Sequence, residues 1–289
     1  MQSARLKVLV VSGSRADEGM LAWPLKVLRE DDYFDVRCAN IHGCSVTSSF
    51  AHIEGLLRND RPDLMLVLGD RFEILAACLP AHLQRVPIAH IGGGDVTEGS
   101  YDDGMRDAIS RFASIHFVTS TSALARLTHM GYRNVHLVGS PGIDYIKHAP
   151  WRGERPRNEP YVVVSYQAET AVSGNDIAKV LLTLDQKKLT IFILPNPDLL
   201  SEEISDAIAV YGFVNPKVEI HKALPHDLFL NLIAHCDEFI GNSSAMIYEA
   251  PELGVRTRMI GNRQRGRVIP WSDGLASQRI AKVLRYGAL

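Results

Sequence analysis

Short apolar runs alternate along the chain with segments whose apolar residues recur at helical spacing. The runs that predict strands in the first half are KVLVVSG, DLMLVLGD, PIAHIGGG, IHFVTS and NVHLVGS. In the second half they are YVVVSY, LTIFILPN, VEIHKA, EFIGNSS and VRTRMIGN. Between them, Ile177, Val180, Leu181 and Leu184 follow the i, i+3, i+4, i+7 spacing of an amphipathic helix. Continuous apolar strands separated by helices predict parallel sheets that are covered on both faces.

These units are too numerous for one sheet, and a linker separates them into two groups. The segment HAPWRGERPRNEP, residues 148–160, contains three prolines and no apolar period, which is typical of a connection between domains. We therefore predict two Rossmann-like, doubly wound α/β domains, residues 1–150 and 151–289, that face each other across a cleft. Ligands of open α/β sheets bind beyond the carboxyl ends of the strands, so candidate chemistry is sought there.

Charge and composition narrow the classes of partner. The formal net charge of -2 over 289 residues argues against nucleic acid or an anionic membrane as the main partner. The longest apolar run, Ile74 to Leu79, is far too short to span a bilayer, and the N-terminus lacks the apolar core of a signal peptide. The four cysteines show neither a CxxC pair nor metal-ligand spacing. We expect a cytoplasmic protein with no metal and no cofactor.

Two strand ends in the first half carry charged residues. The first predicted strand ends in SGSRAD, where a glycine turn followed by Arg15 suits a phosphate, although a plain turn is an equally ordinary structure. The strand DLMLVLGD ends in Asp70-Arg71, which we expect at the rim of the cleft. A structural ion pair and a catalytic pair both fit this arrangement.

The stretch PIAHIGGGDVTEGSYDDGMRDAI has the highest density of acids in the chain. Asp95, Asp102 and Asp103 follow the glycines closely, and Asp103, Arg106 and Asp107 have the spacing of one helical face. Clustered carboxylates can raise the pKa of one member and place a general acid beside a general base. Capping of a helix by Asp102 and Asp103 is the alternative interpretation.

The second half carries the features expected of an anion site. In EFIGNSSAMIYEAPELG, the turn Asn242-Ser243-Ser244 joins a strand to a predicted helix, Ala245 to Leu253. The serines either cap this helix or leave its first N–H groups open for a phosphate. Arg263 lies in a loop with two further arginines after the last predicted strand, and guanidinium groups match phosphate oxygens. Asn196 ends another strand, and Glu249 could accept hydrogen bonds from ribose hydroxyls.

The motifs GSRAD, PDLMLVLGDRFE, HI-GG-VTEG with DD-R, GNSSAMIYEAPELG and IGNRQRGR resemble the hydrolysing UDP-N-acetylglucosamine 2-epimerases of sialic and legionaminic acid pathways. The resemblance runs in order over nearly the whole chain. It implies two Rossmann-like domains similar to GT-B glycosyltransferases, with the nucleotide held mainly by the second domain and the sugar by the first. It also implies a UDP-sugar substrate and association of copies through the N-terminal domain.

The resemblance implies roles for the candidate residues. Ser243 and Ser244 would bind the diphosphate, Glu249 would bind the ribose, and Arg15 and Arg263 would supply positive charge. The family reaction removes the proton at sugar C2 while UDP leaves C1, and water then adds to the resulting glycal. The acids that the resemblance implies around C1 and C2 are Asp70, Asp95, Asp102 and Asp103. Arg71 and Arg106 would orient these acids or the phosphates.

Three positions depart from the family pattern. Family members usually carry His or Glu where Gly92 stands, Arg-His where Arg106-Asp107 stands, and His-Pro where Gln167-Ala168 stands. Gln cannot transfer a proton at neutral pH, so an acid or base role is lost at residue 167. The sequence therefore leaves open hydrolysing 2-epimerisation, hydrolysis of a nucleotide sugar without inversion at C2 or with another substrate, and binding of a nucleotide sugar without catalysis. A glycosyltransferase is a further alternative, although the GNSS and RQ-GR motifs match the epimerases more closely.

Overall fold

The computed structural model describes residues 5–171, 176–196, 200–271 and 273–287. Within these residues the strands are β1 (Leu6–Ser12), β2 (Phe34–Asn40), β3 (Leu64–Leu68), β4 (Ile88–Ile91), β5 (Ile115–Val118), β6 (Val135–Leu137), β7 (Tyr161–Ser165), β8 (Leu189–Ile193), β9 (Val218–His221), β10 (Glu238–Gly241) and β11 (Thr257–Met259). The helices are α1 (Arg15–Glu30), α2 (Val46–Asn59), α3 (Phe72–Leu83), α4 (Asp102–Phe112), α5 (Thr121–His129), α6 (Pro141–His148), α7 (Ile177–Leu182), α8 (Ser201–Val214), α9 (His226–Ala234), α10 (Ala245–Leu253) and α11 (Ala276–Tyr286).

The chain divides into two compact units, each built on a parallel sheet. The first unit has the strand order β2-β1-β3-β4-β5-β6. Its central strand β3 is buried over all five residues, as its uninterrupted LMLVL sequence predicts. Apolar clusters lie on both faces of this sheet, one around Leu66 and Phe117 and the other around Val67 and Ile109. This is the doubly wound arrangement expected from the sequence.

The second unit has the strand order β11-β10-β7-β8-β9, with all pairs parallel. Its central strand β7 is buried along its whole length, and Val164 and Phe192 contribute to the apolar cluster on one face. The predicted helix at Ala245 to Leu253 is present as α10. The fold class predicted from the sequence, two Rossmann-like α/β units, is confirmed.

The two units do not meet at a single boundary near residue 150, because the chain passes from one unit to the other several times. The first unit comprises Met1–Val96, Asp102–Ala149 and Val268–Leu289, and the second comprises Thr97–Tyr101 and Pro150–Arg267. The return of the C-terminus has a clear cause, because α11 is amphipathic and buries Ile280 and Leu284 in the first unit's core. The buried carboxylate of Asp144 accepts hydrogen bonds from the N–H groups of Ala276 and Ser277 and so caps α11.

One strand of the first sheet was not predicted from the sequence. β2 lies at the sheet edge beside β1, and Arg37 and Cys38 in its middle are exposed. Because an edge strand is only partly buried, FDVRCAN lacks the continuous apolar run that marks the central strands. None of the helices among the described residues is long and apolar enough to cross a membrane.

Candidate active site

Arg106 is a buried arginine of α4 that holds three of the predicted acidic residues together. Its side chain is 1% exposed. The guanidinium donates hydrogen bonds to the carboxylates of Asp70 and Asp103 and to the main-chain carbonyl of Asp95, the last at 2.8 Å. A buried guanidinium is costly unless carboxylates and further acceptors surround it. Arg106 therefore fixes Asp70, Asp95 and Asp103 as one cluster at the carboxyl ends of β3 and β4.

Neighbouring side chains fix the two turns that carry this cluster. The Asp95 carboxylate accepts a hydrogen bond from the Thr119 hydroxyl at 3.0 Å. His90, fully buried, donates from Nε2 to the Gly69 carbonyl at 2.7 Å, which leaves its Nδ1 to accept from the Ser110 hydroxyl. Burial lowers the pKa of His90 to about 4. His90 is thus a neutral imidazole that holds the residue preceding Asp70 in place.

The first turn, after β1, contains a buried acid that the sequence analysis missed as a candidate. Asp17 accepts a hydrogen bond from the Gly13 N–H at 2.9 Å, and its own N–H donates to the Ser14 hydroxyl at 3.2 Å. Burial raises the pKa of Asp17 to about 6. Its place in the quoted GSRAD motif was the available signal. Arg15 is exposed at the first residue of α1.

Arg71 and Asp107 make partners that the sequence did not indicate. Arg71 donates two hydrogen bonds to the buried carboxylate of Glu73, at 3.0 and 3.2 Å. Asp107 accepts two hydrogen bonds from Arg126, at 2.7 and 2.8 Å. Asp103, Arg106 and Asp107 lie on one helix at the predicted spacing, but the carboxylate of Asp107 pairs with Arg126 and not with Arg106. Consecutive helical residues point about 100° apart, which directs Asp107 to α5 instead.

The remaining candidates of the first unit are Asp102 and Gly92. Asp102 is the first residue of α4, where a carboxylate interacts favourably with the helix dipole. The resemblance implies a His or Glu at the position of Gly92, and a Cβ built on Gly92 would meet no atom of the described residues within 4 Å.

In the second unit, Asn242 is the residue that organises the turn between β10 and α10. It is fully buried, and its side-chain amide accepts from the Gln167 N–H at 2.6 Å and donates to the Gln167 carbonyl at 2.9 Å. Its own carbonyl accepts from the Gln264 side chain at 2.9 Å. Both ends of the Asn242 amide bind the main chain of Gln167, and a direct contact between Asn242 and a substrate stays a prediction.

The first turn of α10 has the form of an anion site. Ser244, the N-cap residue, is exposed and its side chain makes no capping hydrogen bond. The Ser243 hydroxyl accepts weakly from the Ala245 N–H at 3.3 Å. The N–H groups of Met246 and Ile247 already donate to the carbonyls of Ser243 and Ser244. The turn therefore offers a ligand two small hydroxyl groups and the positive end of the helix dipole, rather than open N–H groups.

Glu249 and Gln167 complete the set of polar groups near this turn. Glu249, one turn further along α10, has a buried Oε2 that finds no hydrogen-bond partner within the part of the chain that the structure describes, and burial raises its pKa to about 7. An enclosed acceptor of this kind suits ligand hydroxyls. Gln167 accepts from the Asn196 N–H at 2.9 Å, while the Asn196 side chain is exposed.

The arginine loop, residues 261–267, packs against the short segment 97–101. Glu98 donates its N–H to the Arg265 carbonyl at 2.9 Å and pairs with the Arg265 side chain. Arg267 donates to the Thr97 hydroxyl at 3.0 Å. Arg263 donates to the Ala168 carbonyl. The TEGSY segment, although it lies between Asp95 and Asp102 in sequence, is therefore part of the unit that carries the arginines.

Gly99 is needed where this segment meets the loop. A Cβ on Gly99 would lie closer than 3.0 Å to main-chain atoms of Asn262 and Arg263, which cannot move aside as a flexible side chain can. Gly99→Ala is therefore expected to destabilise the protein by roughly 1–3 kcal/mol and to displace the arginine loop. Thermal unfolding and UDP titration of the variant would measure both effects.

The matched control is Gly104→Ala on α4. A Cβ on Gly104 would meet nothing within 4 Å, so alanine there should be neutral or stabilise the helix by up to about 1 kcal/mol. Equal melting temperatures and UDP affinities for Gly99→Ala and wild type would contradict the close packing described above.

Two units, each built on a parallel sheet with helices on its faces, are typical of a GT-B-like α/β fold. The family model described as UDP-N-acetylglucosamine 2-epimerase matches residues 4–272. The chain belongs to this family.

Curated relatives resemble the chain over most of its length, and a solved structure shares its fold. The chain is 26% identical to UDP-N,N'-diacetylbacillosamine 2-epimerase (hydrolyzing) of Legionella pneumophila, over 89% of this chain and 81% of that protein. It is 28% identical to polysialic acid biosynthesis protein P7 of Escherichia coli, over 91% and 80% of the two chains. The fold resembles that of Methanocaldococcus jannaschii UDP-GlcNAc 2-epimerase, solved with UDP-GlcNAc and UDP, with a TM-score of 0.78, 16% identity and coverage of 97% and 100%.

Proposed function

We propose that this protein hydrolyses a UDP-N-acetylhexosamine, by default UDP-N-acetylglucosamine, to UDP and the free sugar epimerised at C2. The observation that carries the proposal is the Arg106 cluster, in which one buried guanidinium holds the carboxylates of Asp70 and Asp103 and the carbonyl of Asp95. A protein that only bound a nucleotide would need the second unit's groups but not this assembly. Membership of the family supports the same reaction.

The second unit would bind the nucleotide. The diphosphate would lie at the N-terminus of α10 against Ser243 and Ser244, with positive charge from Arg263. Arg15 and Arg71 of the first unit stay predicted substrate-binding residues. Glu249 would accept hydrogen bonds from the ribose hydroxyls, and Asn196 would contact the ligand through its exposed side chain. Asn242 would act on this site through the Gln167 main chain.

The first unit would perform the proton transfers. One carboxylate removes the proton from C2, the C1–O bond breaks, and the electron pair leaves with the UDP oxygen to give a glycal. Water then adds its oxygen at C1, and C2 regains a proton on the opposite face. Because Gln167 has no acidic proton to give at neutral pH, these steps fall to Asp70, Asp95, Asp102 and Asp103. Fixed cations favour departure of the diphosphate.

Glu249 gives this proposal a pH-dependent test. Its pKa of about 7 lies above the ordinary 4.5, so its contribution to stability is present below about pH 4.5 and is lost as the pH rises through 7. Glu249→Gln should therefore stabilise the free protein at pH 8 by roughly 1–3 kcal/mol and change little at pH 4.5. The same variant should weaken UDP binding at pH 8 about 10-fold or more, because a charged acceptor for the ribose is lost.

Thermal unfolding at the two pH values and calorimetric UDP titration measure these effects. Glu202→Gln, on the exposed surface of α8, is the control for removal of one carboxylate and should change neither quantity. If Glu249→Gln followed the wild-type profile of stability with pH and bound UDP equally well, Glu249 would not be the ribose acceptor.

Hydrolysis without inversion at C2 is the second candidate function. The specific observations in its favour are Gly92 and Gln167, which lack the acid or base side chains usual at these positions, and Asp107, which is committed to Arg126. A reaction that only breaks the C1–O bond needs fewer proton donors than epimerisation does.

The experiment that tests the proposed function is incubation with a panel of UDP-N-acetylhexosamines followed by phosphorus NMR for UDP and chromatographic identification of the sugar. The proposal expects UDP with the 2-epimeric sugar from at least one substrate. Release of the unchanged sugar would favour simple hydrolysis. Tight binding without release of UDP from any substrate would contradict both enzymatic functions. A role in sialic-acid-type amino sugar synthesis, a cytoplasmic location and association through the first domain remain predictions.

A further inference from the structure

A buried glutamate, Glu169, lies between the end of β7 and the arginine loop. It is 4% exposed. Its Oε1 accepts a hydrogen bond from the Tyr166 hydroxyl and its Oε2 accepts from the Asn262 N–H, both at 3.0 Å. Neither the predicted site nor the proposed proton transfers use this residue. A buried carboxylate with two defined acceptor bonds is costly to maintain, so its role must be sought in what it holds.

The direction of each hydrogen bond in this network is fixed. The Tyr166 hydroxyl accepts from the Asp176 N–H at 2.7 Å, so its proton is directed to Glu169. Burial raises the pKa of Tyr166, which keeps the hydroxyl a donor. Glu169 thus ties three segments together: the end of β7, the start of α7 and the first residues of the arginine loop.

The start of the arginine loop is shaped to fit Glu169. Gly261 has φ +92, a conformation that favours glycine, and a Cβ there would lie closer than 3.0 Å to the Glu169 carboxylate. The next residue donates its N–H to Glu169, and Arg263 follows with a hydrogen bond to the carbonyl of Ala168, the residue before Glu169. The main chain that carries Arg263 is therefore placed by Glu169 and its neighbour.

We infer that Glu169 is a positioning residue that sets the arginine loop for the diphosphate of the ligand. The inference rests on the proposed nucleotide site and extends it to a residue that need not touch the ligand. Without Glu169 the Asn262 N–H loses its acceptor and Arg263 its fixed starting point, so the diphosphate loses charge-assisted hydrogen bonds. The uridine part of the ligand makes no use of these bonds.

The test compares the affinities of UDP and of uridine, which lacks the diphosphate. The proteins are wild type, Glu169→Ala, Glu169→Gln and Tyr166→Phe. Calorimetry measures the UDP affinity, and ligand-observed NMR measures the uridine affinity. Glu169→Ala should weaken UDP about 10-fold or more and leave uridine within about 2-fold of wild type. Glu169→Gln, which keeps an acceptor for the Asn262 N–H, should restore most of the UDP affinity. Tyr166→Phe removes a hydrogen bond from the same network but leaves the contact between Glu169 and the loop. This variant should have a lower melting temperature than wild type but nearly the same UDP affinity.

Three outcomes would overturn the inference. Equal loss of UDP and uridine affinity in Glu169→Ala would show a general structural role, and an unchanged UDP affinity would show no role in the site. If the wild-type protein bound UDP no better than uridine, the proposed diphosphate site itself would be contradicted. This result is distinguishable from a failure of the role inferred for Glu169, which concerns the variants. Should Glu169→Ala not fold, Gly261→Ala displaces the same contact and must show the same selective loss of UDP affinity.

Discussion

Asp70→Asn is expected to lower kcat by roughly 10²–10⁴-fold while UDP affinity stays close to that of wild type. Asp70 lies two residues after β3 and pairs with the buried Arg106. The amide keeps the size of the side chain but removes a group able to accept a proton, together with one of the two negative charges that face Arg106. Steady-state kinetics with the best UDP-N-acetylhexosamine and a UDP titration would separate the two quantities.

The control for Asp70→Asn is Asp107→Asn, which changes charge in the same way close to the cluster. Asp107 is paired with Arg126, and both side chains are about one-third exposed. Such pairs contribute about 0–1 kcal/mol, so kcat should change little. If Asp107→Asn lost as much activity as Asp70→Asn, Asp107 would belong to the catalytic group after all. An active Asp70→Asn enzyme would move the proton transfer to another acid.

Asn242→Ala is expected to destabilise the protein by roughly 2–4 kcal/mol and to abolish measurable UDP binding. The substitution leaves the N–H and carbonyl of Gln167 without the side chain that now binds both, at the point where β7 ends. It also removes the residue that precedes the two serines of the α10 turn. Chemical unfolding and UDP titration would measure these losses.

Asn196→Ala provides the comparison for Asn242→Ala. The Asn196 side chain is exposed, and only its main-chain N–H binds Gln167. Its loss should change stability by less than about 0.5 kcal/mol and affect UDP affinity alone. Similar stability for the two variants would contradict the buried role assigned to Asn242.

The strands buried on both faces of their sheets were predictable, because a short uninterrupted apolar run is typical of such a strand. LMLVL and YVVVS are examples in the two units. The edge strand β2 was missed because Arg37 and Cys38 interrupt its pattern. The assignment of residues 97–101 to the second unit had no local signal, since it depends on contacts with residues 69 or more positions away, such as Thr170 and Arg265.

The places of the candidate residues near strand ends were predictable from the sequence, and their hydrogen-bond partners were less so. The clustering of Asp103 with Arg106 followed from helical spacing. The pairing of Asp107 with Arg126 did not, because it depends on the neighbouring helix. The side chains of Asn242 and Glu169 bind main-chain groups. A single sequence does not show whether a polar side chain binds the main chain or a ligand, so these partners could not be predicted.

The measurement that tests the central claim most directly is incubation of the enzyme with UDP-N-acetylglucosamine in deuterium oxide, followed by proton and phosphorus NMR. Elimination and addition through the first unit's carboxylates require free UDP together with N-acetylmannosamine that carries deuterium at C2. Free UDP with N-acetylglucosamine that keeps its C2 proton would contradict epimerisation and leave only hydrolysis of the C1–O bond.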